Sequence, residues 1–215
     1  MGAGLDKLLV PLGGREVVAW SLLALDACEG LDSITVVASE HNLEQVAAVL
    51  DRLPTRLPLQ LAIGGARRQD SVRTAVEALA ADPPDLVLVH DGARPLVSAE
   101  SIRACLEAAA ADGAATCGIP LRDSVKEVDA AGNVRRSLER ASLAAIQTPQ
   151  AFRFDLLLRG HRAAVEQRVV VDDDAELVER LGCPVRVVPG DPRNLKLTTR
   201  DDIVLAEALL AGAKT

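Results

Sequence analysis

The 215-residue chain is long enough for one domain, or one with an appendage, and 49% of its residues are apolar, enough for a sizeable core. Its net charge of −7 excludes a general nucleic-acid binder, which is normally basic, but allows a small anionic ligand where basic side chains converge. Trp20, Phe152 and Phe154 are the only aromatics, so Leu, Val and Ala must build the core, and the four cysteines have neither zinc-ligand spacing nor disulfide-scaffold density.

Those cysteines, Cys28, Cys105, Cys117 and Cys183, read as reduced thiols of a cytoplasmic protein. No signal peptide, internal repeat or bilayer-spanning apolar run is read, so no membrane partner is expected. Lys7 to Gly14 is a short apolar segment closed by Gly13-Gly14. Val18, Leu22 and Leu25 then fall at helical spacing on a helix of about Arg15 to Cys28. Ser33 to Ala38 is a strand, and Leu43, Val46, Ala47 and Leu50 mark a helix that Pro54 and Pro58 break. Leu59 to Ile63 is a strand running into Gly64-Gly65, and a helix begins near Asp70-Ser71 with Val72, Val76 and Leu79 on one face.

Asp85 to His90 is a strand whose four apolar residues, Leu86 to Val89, imply burial on both faces, as in a parallel sheet. It stops at His90-Asp91-Gly92-Ala93-Arg94-Pro95. Ligands of open α/β sheets bind beyond the carboxyl ends of strands, so Asp91 and Arg94 are offered where a ligand would sit; a polar turn with a surface ion pair fits as well. Ser98 caps a helix to about Ala111, and Ala114 to Ile119 is a further strand. This alternation is the mark of a three-layer α/β fold on a mostly parallel sheet.

Asp123 to Arg140 breaks the pattern. Ser124–Val128 and Asn133–Ser137 flank a Gly132 turn and read as a β-hairpin with little apolar content, which is not stable alone and should lie on another surface, most simply a second subunit. A short strand to Gln147, a turn at Thr148-Pro149-Gln150, and helices over Asp155–Val165 and Asp174–Leu181 follow. Pro184 to Val188 is the last strand and Asp201 to Leu210 the closing helix.

Chemistry belongs in the loops that follow strands. Gly64 to Ser71 opens a helix, where glycines admit a ligand to the backbone and the helix terminus favours negative charge, or where an ordinary cap sits. Lys7 and Lys196 are isolated lysines, a type usually solvated. Asp172-Asp173-Asp174 suits either a divalent cation or the capping of a helix. His90 reads as a hydrogen-bonded structural residue, and His41 and His161 as surface helix residues. No Ser-His-Asp or Cys-His arrangement is present.

Together these loops resemble the 2-C-methyl-D-erythritol 4-phosphate cytidylyltransferase family over essentially the whole chain. The shared patterns are GG-x-x-R-x-x-SV (Gly64 to Val72, with Arg67 or Arg68 as its Arg) and V-H-D-x-A-R-P (Val89 to Pro95). D-[TS]-x-K (Asp123 to Lys126), an Arg (Arg140) before T-P-Q (Thr148 to Gln150), an acidic run and N-x-K-x-T (Asn194 to Thr198) follow in the family's order. The resemblance implies a single Rossmann-like nucleotidyltransferase domain with a protruding β-hairpin dimerisation arm. It implies transfer of CMP from CTP to 2-C-methyl-D-erythritol 4-phosphate, with Mg²⁺, in non-mevalonate isoprenoid synthesis. Gly64, Gly65 and Ser71 would contact cytosine, and Asp91 and Gly92 would lie by the ribose and acceptor. Arg94, Ser124, Arg140, Thr148 and Lys196 would surround the acceptor, with Asp172 at a position often Thr in the family. Lys7 and Lys196 would be the catalytic lysines, and the hairpin's contacts would reach the partner's site. Alternatives are an acceptor such as ribitol 5-phosphate, or an inactive nucleotide-binding and dimerisation module. At the start, Gly2 to Lys7 matches only the end of the family's A-A-G-x-G-x-R…P-K loop, with Asp6 in place of Pro. The family's opening strand, central in its sheet, and the Arg of its triphosphate loop have no match; a start codon assigned too late is the favoured reading, beside a truncated chain or a degenerate copy.

Overall fold

The computed structural model describes residues 6–212. A two-stranded ribbon, β1 (Pro11–Leu12) and β2 (Arg15–Glu16), turns through Gly13 and Gly14, both at positive φ, and leads into α1 (Val17–Asp26). β3 (Ile34–Ala38), α2 (Leu43–Leu50), β4 (Leu59–Ile63), α3 (Arg68–Ala78), β5 (Leu86–Val89), α4 (Ala99–Asp112) and β6 (Ala114–Pro120) follow in alternation. Ser98 caps α4 by accepting from the Ser101 N–H, as its sequence position predicts. The hairpin is β7 (Val125–Val128) and β8 (Val134–Leu138). The chain closes with β9 (Ala144–Arg153), α5 (Phe154–Gln167), α6 (Asp174–Arg180), β10 (Arg186–Pro189) and α7 (Arg200–Gly212).

The central sheet has the order β10-β6-β9-β5. β10 and β6 are parallel, and β9 is antiparallel to both β6 and β5, so β5, β6 and β10 share one direction. Side chains alternate across the sheet and divide two cores. On one face Val87, Val89, Ala114 and Phe152 pack with Val76, Leu157 and Val178 of α3, α5 and α6. On the other, Leu86, Leu88, Ala115, Cys117 and Ala151 pack with Cys105 and Ala109 of α4. Helices therefore cover both faces, the three-layer arrangement expected from the alternation.

Two strands differ from their sequence-based expectation. β5, expected to be buried on both faces as in a parallel sheet, is half-buried and, among the described residues, pairs only antiparallel, with β9. The short strand ending at Gln147 is the first part of a ten-residue strand, and Thr148-Pro149-Gln150 lies within it rather than in a turn. Between Thr116↔Gln150 and Cys117↔Gln147 the register shifts, so Thr148 and Pro149 form a bulge in β9, and the peptide bond between them is cis. Proline has no N–H for a ladder, which is why the ladder skips it and the strand resumes beyond.

The sheet is open at its middle. Among the described residues β3 pairs only with β4, and β5 only with β9. Between them lies a cavity of about 800 Å³, lined by Ile34 and Val36 of β3, Val87 of β5, and Leu22 and Val76 of the flanking helices. It runs up to Arg68, Ser71 and Asp91. No strand among the described residues fills it. Gly2 to Leu5 lie outside the described residues.

Candidate active site

The carboxyl ends of β4 and β5 place two loops side by side. β4 leads through Gly64-Gly65 into α3, and the Gly64 N–H donates to Ala38 O at 2.7 Å, tying the loop to the end of β3. Ser71 Oγ accepts from the Gly65 N–H (3.2 Å) and donates to Arg67 O (3.1 Å). A Cβ on Gly64 would stand 2.5 Å from Ser71 Oγ, and one on Gly65 would stand 2.4 Å from Asp70 Cβ, so close approach to α3 demands both glycines. The structure also resolves which arginine faces inward. Arg67 is exposed and pairs with Asp70, while Arg68, in the first turn of α3, reaches across to the β5 loop.

There Asp91 is the hub. Arg68 Nε donates to Asp91 Oδ1 at 3.0 Å, Lys196 Nζ lies 2.9 Å from Oδ2, and Arg94 Nε lies 3.6 Å from the same oxygen. Burial pushes the Asp91 carboxyl up, but Arg68 and Lys196 outweigh it and hold it well below the usual carboxylate range. The Leu197 N–H donates to Ala93 O at 2.8 Å, docking the Asn194–Thr198 segment on the loop and bringing Lys196 in. Arg94 Nη1 donates to Asn194 O at 2.8 Å, and Asn194 Nδ2 donates to Thr148 O at 2.8 Å. The bulge thus sets Thr148 against the loop, where its hydroxyl accepts from the Asp91 N–H at 3.0 Å.

His90 completes this ring. Its Nδ1 lies 3.2 Å from Thr148 Oγ1 and its Nε2 lies 3.1 Å from Arg94 O. With Thr148 Oγ1 accepting from Asp91, its proton goes to Nδ1, and Nε2–H donates to the carbonyl. Every partner is satisfied by a neutral imidazole. Burial lowers the His90 pKa to about 4, with the Arg94 carbonyl opposing. The structural role expected for His90 is the one it has.

A cavity of about 200 Å³ opens beside this cluster, lined by Arg68, Asp91, Arg94, Thr148, Gln150, Asp172 and Lys196 among others. The acidic run divides its work at the cavity's edge. Asp172 is exposed there. Asp173 caps α6, accepting from the Glu176 N–H (3.0 Å) and from Gln150 Nε2 (3.1 Å). Asp174 is buried and accepts from Arg68 Nη1 at 2.7 Å. Asp173 thus has the capping role that the run suits, while Asp172 faces the cavity.

Five of the predicted site residues therefore meet at one edge, Asp91, Arg94, Thr148, Asp172 and Lys196, with Gly92 next to Asp91 in the same loop and the Gly64–Ser71 loop joined through Arg68. Lys7 is exposed on the turn before Leu8, whose side chain approaches Gly92, and it lines neither cavity. Ser124 and Arg140 lie elsewhere. Both are exposed at the hairpin's base, where Arg140 Nη1 donates to Arg122 O at 2.5 Å. Gln150 and His161 were not singled out as site residues from sequence, Arg68 entered only as one of two arginines, and Asp174 only within the acidic run. His161 is a correction: expected on the surface of α5, it is fully buried beside Asp174.

The family profile described as 2-C-methyl-D-erythritol 4-phosphate cytidylyltransferase matches residues 1–212. This chain belongs to that family. A curated cytidylyltransferase of that name from Pelotomaculum thermopropionicum is 44% identical over 212 residues, covering 98% of this chain and 88% of the relative. Another, from Geobacillus thermodenitrificans, is 39% identical, covering 99% and 92%. Among solved structures, the 4-diphosphocytidyl-2C-methyl-D-erythritol synthase of Anaerococcus prevotii superimposes with a TM-score of 0.88 at 30% identity, covering 98% of this chain and 92% of that one. The cytidylyltransferase of Thermus thermophilus gives 0.79 at 34%, covering 95% and 94%. Membership of the 2-C-methyl-D-erythritol 4-phosphate cytidylyltransferase family accounts for the nucleotidyltransferase fold.

Proposed function

We propose that this chain transfers CMP from CTP to 2-C-methyl-D-erythritol 4-phosphate, releasing pyrophosphate and forming 4-diphosphocytidyl-2-C-methyl-D-erythritol for non-mevalonate isoprenoid synthesis. The observation that carries this reading is the convergence of Arg94, Lys196 and Arg68 on Asp91 beside the Gly64–Ser71 loop, in a chain of this family. Two anions must meet, so the site has to offset their repulsion and stabilise charge that grows as the bond to pyrophosphate breaks. An acceptor phosphate oxygen attacks the α-phosphorus and pyrophosphate leaves. No proton has to be moved by the protein, which agrees with a His90 locked neutral in a structural ring. Arg94 offers a fork to the acceptor phosphate, and Lys196, half in solvent, offers a point charge.

The Gly64–Ser71 loop is assigned to cytosine, and Asp91 with Gly92 to the ribose and acceptor. Ser124 and Arg140, remote from their own cavity, are assigned to the site of a second protomer in a cytoplasmic homodimer. Mg²⁺ usually keeps several waters and is held by one or two carboxylates plus substrate phosphates, so a site without a three-ligand group fits a cation carried in on CTP. Such an ion would neutralise triphosphate charge.

Pyrophosphate release from CTP, with and without Mg²⁺, in the presence of 2-C-methyl-D-erythritol 4-phosphate or ribitol 5-phosphate, tests the reading. Release that depends on Mg²⁺ and prefers methylerythritol phosphate supports it, and a preference for ribitol phosphate overturns the acceptor assignment. The open slot between β3 and β5 favours a second reading, a nucleotide-binding and dimerisation module. Nucleotide binding without turnover would select it.

A further inference from the structure

Behind the cluster on Asp91 stands a buried carboxylate, with an imidazole beside it, that the chemistry above does not use. Asp174, in the first turn of α6, has a side chain only 1% exposed. One oxygen accepts from Arg68 Nη1 at 2.7 Å, and the other lies 3.3 Å from Nε2 of His161, whose side chain is wholly buried. Neither ring nitrogen, nor that second oxygen, has an aligned hydrogen bond. A buried ion pair is a poor source of stability, since well-packed apolar side chains do as well or better. Its place against the site therefore calls for another role.

The geometry points to one. Arg68 is a bridge, with Nη1 on Asp174 and Nε on Asp91, and together Asp174 and Asp91 outweigh burial and raise its pKa. While Arg68 occupies Asp91 Oδ1, Asp91 has only Oδ2 for the other cations. Lys196 takes that oxygen at 2.9 Å, which leaves Arg94 Nε 3.6 Å away and without a hydrogen-bond partner. We propose that Asp174, backed by His161, is a positioning residue. It holds Arg68 on Asp91, so that Asp91 does not close on Arg94 and the Arg94 guanidinium stays available to an anionic group in the cavity. This rests on the reading that Arg94 receives the acceptor phosphate.

The test separates the two claims. Purified wild type, Asp174→Asn, Asp174→Glu and His161→Gln are compared for kcat and for the KM of each substrate. In the ligand-free proteins the Arg68 Nε–H resonance is followed by ¹⁵N NMR. Asp174→Asn is expected to raise the acceptor KM about tenfold or more, the scale of one charge-assisted contact, with the CTP KM changed less than about twofold. Asp174→Glu keeps the charge and is expected to restore the acceptor KM to within about threefold of wild type. His161→Gln, one step further out, is expected to raise it by about threefold, and supplies the measurement should Asp174→Asn fold poorly. The Arg68 signal is expected to shift in Asp174→Asn and to return in Asp174→Glu. A fall in kcat with both KM values unchanged means that the pair serves folding alone and overturns the proposal. An Arg68 signal that ignores Asp174→Asn does the same without any turnover. A wild type that does not use the acceptor overturns the proposed function instead, leaving the Arg68 signal to decide the link.

Discussion

Protonating His90 would break the ring that holds the site loop, because Thr148 Oγ1 already accepts from Asp91 and gives its proton to Nδ1. The native pKa, about 4, lies below the ordinary 6.5, so between those values the unfolded chain binds a proton that the folded chain does not. Stability from the neutral ring is complete above pH 6.5 and is lost as pH falls toward 4, at most about 3 kcal/mol. Asp91 contributes in a separate window, since its depressed pKa removes stability only below the usual carboxylate range. Thermal melts from pH 4 to 7 are expected to show a falling Tm for wild type and a flatter profile for His90→Gln. Arg94→Ala is expected to raise the acceptor KM by roughly 10- to 100-fold, one charge-assisted contact, with a smaller effect on CTP. Substrate-resolved kinetics check this, and a larger effect on CTP would place Arg94 on the nucleotide. At this scale the sequence was legible where a residue type and a loop coincide, as at Asp91, Arg94 and Lys196. It misled at His161, although the signal was there: Leu157 and Ala164 flank it at helical spacing on the buried face of α5, and a polar residue on an apolar face was read as solvated. Arg68 was kept beside Arg67 as an alternative, although the GG-x-x-R spacing counted from Gly64 falls on Arg68, the arginine that reaches Asp91.

Alternating elements were read with most boundaries within two residues, since strands buried on both faces and amphipathic helices carry their period in the chain. β9 was cut short because a bulge containing proline looks like a turn locally, and only pairing with β5 and β6 on either side of it shows one strand. The opening between β3 and β5 is likewise a matter of pairing, invisible in either strand alone. Both strands leave an edge without a ladder, and the cavity between them is lined with apolar side chains up to Arg68 and Asp91. Unpaired backbone at the centre of a sheet is costly, and a parallel strand entering there would satisfy both edges while burying its own side chains. Adding an apolar strand and a loop, about 20 residues, ahead of Met1 is expected to fill the slot, to raise stability by a few kcal/mol and to raise turnover. Denaturant titration and pyrophosphate release compare the two forms. Equal stability and turnover would mean that the slot is not a strand site.

For the whole molecule, the hairpin is the element with no interior of its own. Val128 and Val134 are 55% and 61% exposed on β7 and at the start of β8, and the arm's ordered contacts are its own ladder and surface ion pairs such as Arg136–Glu127. A two-stranded hairpin is marginal in isolation, so a second copy of the chain is the natural cover. Deleting Val125 to Ser137 is expected to turn a dimer into a monomer by light scattering, and an unchanged dimer would place the interface elsewhere. The same arrangement bears on the site. Arg140 is exposed at the base of the arm and lies outside the cavity lined by Lys196 and Arg94 of its own chain. If it completes the partner's site, Arg140→Ala and Lys196→Ala break different halves of each site, and two inactive proteins can repair one another. In a mixed dimer, the protomer bearing Arg140→Ala keeps its Lys196 and receives an intact Arg140 from its partner. The other site loses both residues. Random exchange puts about half of the dimers in this mixed form with one good site of two, so roughly a quarter of all sites recover. Mixing the two variants after reversible dissociation is therefore expected to restore about a quarter of wild-type turnover, while each variant alone stays low. No recovery, with mixed dimers confirmed by mass, would mean that Arg140 serves its own chain or no site at all.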